Sequence, residues 1–150
     1  MRVIICPGNS PHNQSMNQEA KKEFSDVIAL RWNHWDGQED KADDYQRVVQ
    51  AMQANPKAKI IAKSYGGVLV MKAITEYLIA NTDITILGAL PKAIKKHNID
   101  IKRVDAHVHI IQNEFDPHAS YTEVKKYFSN VTCIQENNTH DYSILAVINS

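Results

Sequence analysis

The sequence predicts an α/β protein, a three-layer αβα sandwich in which one parallel sheet of six strands is covered by helices on both faces. Three observations carry this. Short, nearly continuous apolar runs such as Val3–Cys6 suit strands buried on both sides. These runs alternate with segments whose apolar residues recur at helical spacing, and strand–helix alternation calls for a parallel sheet. Between them, Lys59-Ile60-Ile61-Ala62-Lys63-Ser64-Tyr65-Gly66-Gly67-Val68-Leu69-Val70-Met71 reads as a strand breaking through a glycine turn into an apolar helix.

The chain has 150 residues, 43% of them hydrophobic, enough to bury one full core and too few for a second domain. Its 17 Lys and Arg balance 17 Asp and Glu, which argues against a general nucleic-acid or anionic-membrane surface and favours a compact substrate. A first strand starting at Arg2, with no basic apolar leader and no run of membrane-spanning length, predicts a cytoplasmic protein. Cys6 and Cys133 lack paired spacing and fall in predicted strands, so neither a disulfide nor a metal site is expected, and no cofactor is implied.

In chain order, the first strand, residues 2–6, ends at Pro7-Gly8-Asn9-Ser10-Pro11, with His12 and Asn13 on the same rim. Met16, Ala20 and Phe24 recur every fourth residue and predict a helix over 15–24. A second strand over 26–30 leads into Arg31-Trp32-Asn33-His34-Trp35-Asp36-Gly37. Two tryptophans in one loop are costly to expose, so Trp32 and Trp35 are expected to divide two tasks, one sealing the sheet edge and one walling a pocket. Tyr45, Val48, Val49 and Met52 mark a crossover helix that Asn55-Pro56 stops. The third strand, ending at Lys63, leads to a helix with only Lys72 and Glu76 as charges through residue 79, whose N-terminal dipole favours a developing negative charge.

Residues 83–90 form the predicted fourth strand, and 106–112 the fifth, with only about fifteen residues between them. That is too few for an inserted lid. Lys92, Lys95 and Lys96 read as a solvated helix face, and His107 and His109, two apart on a strand, as hydrogen-bonded histidines rather than metal ligands. A helix marked by Tyr121, Val124 and Phe128, a sixth strand over 131–135 and a closing helix over 142–148 complete the chain.

In a parallel sheet the reacting groups gather beyond the carboxyl ends of the strands. Ser64 lies there as the candidate nucleophile. Asp83 and Asp105 begin strands and belong to the opposite edge, whereas Glu114 and Asp116 lie at the correct end. His140, after the sixth strand, is the leading base, with His118 and His12 as rivals; His118 is only two residues from Asp116 and is poorly placed to bridge acid and nucleophile.

With A-K-S-Y-G-G, F-D-P-H and T-H-D-Y in this order, nearly the whole chain resembles a minimal, lidless α/β-hydrolase, most similar to the small retinoblastoma-binding-protein-like and YdeN-like serine hydrolases. Ala62 stands where the elbow motif usually has its first glycine, and His118 replaces a tyrosine of the D-P-Y-type segment. The resemblance implies Ser64, Asp116 and His140 as a triad in the family's order. It also implies an oxyanion hole from the backbone N–H groups of Tyr65 and of Gly8 or Asn9. His12, Trp32, Trp35 and Lys63 are the expected substrate-lining side chains. Right-handed crossovers then leave the strand order 2-1-3-4-5-6 as the arrangement that unites residues 64, 116 and 140. The expected activity is hydrolysis of a small acyl ester or thioester; the competing expectation is a non-catalytic binding protein on the same scaffold.

Overall fold

The computed structural model describes residues 1–37 and 42–149. Its six strands are β1 (Val3–Cys6), β2 (Val27–Ala29), β3 (Lys59–Lys63), β4 (Ile84–Leu87), β5 (Val108–Asn113) and β6 (Val131–Ile134), in the order β2-β1-β3-β4-β5-β6. Every pairing is parallel, with Cys6 opposite Ala62 and Ala62 opposite Ile86 at the functional end. The α/β class and the predicted strand order are those of the molecule.

Side chains alternate between two apolar layers, as the period-two geometry of a strand requires. Ile4, Cys6, Ile60, Ala62, Ile84, Ile86 and Ile110 face one layer. That layer is closed by α2 (Ala42–Ala54), α3 (Tyr65–Glu76), and the short helices α4 (Pro91–Lys96), α5 (Ile101–Asp105) and α6 (Tyr121–Lys125). Val3, Ile5, Ile61, Leu87 and Ile111 face the other, covered by Met16 and Ala20 of α1 (Gln14–Glu23) and Val147 of α7 (Leu145–Ile148). Burial on both faces is why β1 reads as an unbroken apolar run and β4 as one interrupted only by the buried Thr85; the edge strands β2 and β6 are only partly covered.

The acids excluded by sheet polarity are occupied at the opposite edge. Asp83 pairs with Lys59 at 3.0 Å, and Asp105 accepts the Ser129 N–H and hydroxyl at 2.8 Å each. Some element bounds differ from expectation for local reasons. The fourth strand stops at Leu87 because Gly88, at φ +67°, turns the chain away from the sheet. The fifth begins two residues late, after α5, which Asp100 caps by accepting the Arg103 N–H. The closing helix starts at Leu145 rather than Tyr142, whose side chain is engaged elsewhere.

Candidate active site

Ser64 joins β3 to α3 at φ 49°, ψ −110°, a conformation that costs a non-glycine residue about 1–3 kcal/mol and must be imposed by its surroundings. Its N–H donates to the Leu87 carbonyl at 2.9 Å, and its carbonyl accepts the first helical bond from Val68 at 3.1 Å. The turn is possible because a Cβ on Gly66 would run into the Cys6 carbonyl and lie 2.6 Å from that of Pro7. One on Gly67 would lie 2.7 Å from Ile86 Cγ2. Ala62, fully buried between Cys6 and Ile86, shows that its methyl group fits where the elbow motif usually has glycine.

The carboxyl ends of β3, β5 and β6 deliver Ser64, Asp116 and His140 to one point. His140 Nε2 is 2.9 Å from Ser64 Oγ, and His140 Nδ1 is 2.6 Å from Asp116 Oδ2. An ionised carboxylate only accepts, so Nδ1 carries the proton and Nε2 is left to accept from the serine hydroxyl. Asp116 is buried; burial pushes its carboxyl up, but hydrogen bonds from His140, from the Tyr142 hydroxyl at 2.7 Å and from the His118 N–H at 2.8 Å outweigh it and hold it below the usual carboxylate range.

A supporting layer fixes this geometry. The Tyr142 hydroxyl also accepts the Asn113 N–H at 2.8 Å, and burial followed by its acidic neighbour pushes the phenol up, so it stays a donor at neutral pH. Asn113 Nδ2 donates to the carbonyls of Thr139 and Asp141 at 2.9 and 3.1 Å, clamping the chain on both sides of His140. Gly88 leaves the room these rings occupy: a Cβ there would lie 2.6 Å from the Tyr142 ring and 3.0 Å from that of His140. Neither rival base has this placement. The His118 ring packs edge-on against His140 at 4.3 Å, and His12 lies on the rim, with no hydrogen bond between either and Ser64.

The loop after β1 is tied by its carbonyls. Trp32 Nε1 donates to Pro7 O at 3.1 Å and Gly8 O at 3.0 Å, while Trp35 Nε1 and His34 Nε2 donate to Asn9 O at 2.8 and 2.5 Å. In a trans peptide the N–H points opposite to the C=O, so holding Gly8 O fixes the direction of the Asn9 N–H. The Tyr65 N–H belongs to the first turn of α3, directly after Ser64 at the elbow. The Tyr65 hydroxyl donates to the fully buried Asp44, 3.2 Å away, which also accepts from Arg47 at 2.6 Å and the Asn33 N–H at 3.0 Å.

Two cavities meet at Ser64. One, of about 830 Å³, runs between α3 and α4; the other, of about 490 Å³, is walled by the β1 loop and the His140 loop. His12 and Lys63 line the second, with Lys63 Nζ 2.9 Å from Asn13 Oδ1. Burial lowers the Lys63 ammonium's pKa, against the pull of Asp141 and Asp116. The tryptophans depart from expectation, since neither lines either cavity. Trp32 is fully buried and Trp35 packs against the core, because an indole N–H removed from water needs an acceptor and the β1 loop supplies three carbonyls. His107 bonds the Asn81 carbonyl and His109 the Thr132 hydroxyl. Cys6 and Cys133 are free thiols, and burial pushes that of Cys6 up to about 12. Among the described residues, no helix is long and apolar enough to cross a membrane.

Sequence reasoning missed Tyr142, Asn113, His34 and Asp44. The one available signal was the placement of Tyr142 two residues after His140, where its ring could reach the same acid.

Solved structures share this architecture. A candidate YdeN-like hydrolase from Pectobacterium atrosepticum superposes with TM-score 0.65 at 14% identity, over 93% of this chain and 78% of its own. The ydeN gene product from Bacillus subtilis gives 0.65 at 12%, over 99% and 94%. A candidate hydrolase of the α/β superfamily from Xanthomonas campestris pv. campestris gives 0.58 at 9%, over 93% and 86%. No protein-family model and no curated protein matches the sequence. At these identities the likeness establishes the α/β-hydrolase fold.

Proposed function

We propose that this protein is a serine hydrolase that cleaves a small acyl ester or thioester in the cytoplasm. The observation that carries the reading is the continuous chain Ser64–His140–Asp116, with each link at hydrogen-bond distance. His140 takes the Ser64 proton as Oγ attacks the acyl carbonyl, and the Tyr65 and Asn9 N–H groups receive the oxyanion. The carbon–oxygen or carbon–sulfur bond then breaks, and His140 protonates the departing alcohol or thiol. Water attacks the acyl-serine, gives its proton to His140, and the serine recovers it as the carboxylic acid leaves. Asp116 keeps its charge throughout and stabilises the imidazolium.

A strained serine hydrogen-bonded to His140, which the buried Asp116 orients, favours catalysis over a binding role, which needs neither the strain nor the two hydrogen bonds. The test is covalent labelling by a fluorophosphonate probe, expected in the wild type and abolished in Ser64→Ala. A folded wild type that never labels would refute the reading.

A further inference from the structure

The larger cavity is a groove with a direction. Tyr65, Val68, Leu69 and Lys72 recur at the i, i+3, i+4 and i+7 positions of α3 and so form one stripe beside it; Leu90 and Ala93 form the facing wall. Val68, Leu69, Leu90 and Pro117 give the Ser64 end apolar walls, with Asn9, Tyr65 and His118 beside them. Two helical turns on, about 12 Å from the elbow at 1.5 Å per residue, the groove ends among Lys72, Lys96 and His97. Lys72 Nζ stands 4.4 Å from the centroid of the Tyr45 ring, whose hydroxyl donates to Glu76 at 2.7 Å. Lys92 adds a third ammonium and Asp43 a single carboxylate to the lining. Among the described residues none of the three lysines forms an ion pair. The His97 ring feels this end directly: desolvation first, then Lys72 and Lys96, disfavour its protonation, with Glu76 pulling the other way.

The two cavities also divide the substrate. His140 must protonate the leaving group, and His140, Asp141 and Tyr142 wall the smaller cavity and are absent from the larger. The alcohol or thiol therefore departs into the smaller cavity, and the acyl arm lies in the groove between α3 and α4. An acyl arm there runs first along apolar side chains and then meets cations.

We infer that the groove selects an acyl arm ending in a carboxylate, so that the substrates are half-esters or half-thioesters of aliphatic dicarboxylic acids. The inference rests on the hydrolase reading for its chemistry and on the lysine-lined groove for its selectivity. Hydrolysis adds water across the scissile bond and releases the free dicarboxylate and the alcohol or thiol, with no other reactant. A neutral acyl chain of the same length would offer the cations at the groove end no anion to bind.

The test compares p-nitrophenyl hydrogen adipate with p-nitrophenyl hexanoate, its neutral counterpart. The wild type is expected to favour the half-ester by about tenfold in kcat/KM, the worth of one charge-assisted contact. In the double variant Lys72→Gln, Lys96→Gln that ratio should collapse toward unity. Equal turnover of the two esters by the wild type, or a ratio the double variant leaves intact, overturns the inference while leaving the hydrolase reading in place. A second measurement needs no turnover: Ser64→Ala is titrated with adipate and with hexanamide while the His97 imidazole is followed by NMR. Saturable shifts with adipate alone support the inference even if no ester is cleaved, an outcome that would count against the hydrolase reading only. Absence of any adipate-specific shift overturns it.

Discussion

Tyr142→Phe separates two contributions that one hydroxyl makes. That hydroxyl donates to Asp116 Oδ2 at 2.7 Å and accepts the N–H of the fully buried Asn113 at 2.8 Å. Phenylalanine keeps the ring and removes both bonds. The stranded Asn113 N–H costs on the order of 1 kcal/mol at every pH, the low end of the penalty for an unsatisfied buried donor. The lost donor to Asp116 costs a similar amount only while the carboxyl is ionised. Because the folded-state carboxyl sits below its ordinary value, its stabilisation is complete above the unfolded carboxylate pKa and is lost as pH falls through the folded one. With one of three donors gone, the folded value moves back toward the unfolded one. Urea unfolding should therefore show a deficit of about 2 kcal/mol at pH 7, or about 4–8 °C in Tm, narrowing toward about half as the pH is lowered through the folded carboxyl's depressed pKa. A deficit that does not narrow as the pH is lowered through the acid range would refute the claim that Tyr142 acts through the ionised Asp116.

Two further substitutions probe the elbow and the β1 loop. Gly66→Ala forces a methyl group against the Cys6 and Pro7 carbonyls, which are backbone and cannot step aside; a loss above about 3 kcal/mol, seen as insolubility or a collapsed Tm, is expected. Ala62→Gly, which only removes a methyl group, should stay folded and reactive toward the fluorophosphonate, within about 1 kcal/mol of the wild type. Trp32→Phe keeps an aromatic ring in the core but frees the Pro7 and Gly8 carbonyls; kcat/KM on any cleaved ester should fall by about tenfold or more, as when an oxyanion donor is misplaced. Unchanged kinetics in a folded Trp32→Phe would show that the loop holds its shape without the indole.

The sheet was legible because strands buried on both faces leave little choice of pattern: Val3–Cys6 is apolar throughout, Ile84–Leu87 is apolar but for the buried Thr85, and each is enclosed. Sheet polarity did as much for the site. It set Asp83 and Asp105 at one edge and Asp116 and His140 at the other before any distance was known, and the first two are tied to Lys59 and Ser129. What stayed illegible were bonds from side chains to backbone carbonyls. An indole N–H can satisfy itself on any carbonyl within reach, so nothing in Arg31–Gly37 distinguishes a tryptophan that walls a pocket from one that ties the β1 loop. Tyr142 read as the start of a helix for a related reason: helical spacing records which face is apolar, not which hydroxyl reaches a carboxylate and a backbone N–H elsewhere.

The absence of an inserted lid argued for short acyl groups, since an exposed site cannot enclose a long alkyl chain. The short connection between β4 and β5 nevertheless builds a wall, because α4 stands opposite α3 and the two define a groove rather than a flat rim. An alkyl chain in an open groove is only half removed from water, so each added methylene gains a fraction of the roughly 0.8 kcal/mol that full burial would give. Chain length alone is therefore a weak source of selectivity at this site. A cluster of cations two helical turns from the nucleophile, in which Lys72 is held against the Tyr45 ring and Lys96 stands exposed beside it, is a stronger one, because it rewards a chain that carries an anion to that depth. Length and charge are then one requirement: an acyl arm too short to reach Lys72 and Lys96 gains nothing from its carboxylate, and one of the right length without the carboxylate gains little from its reach.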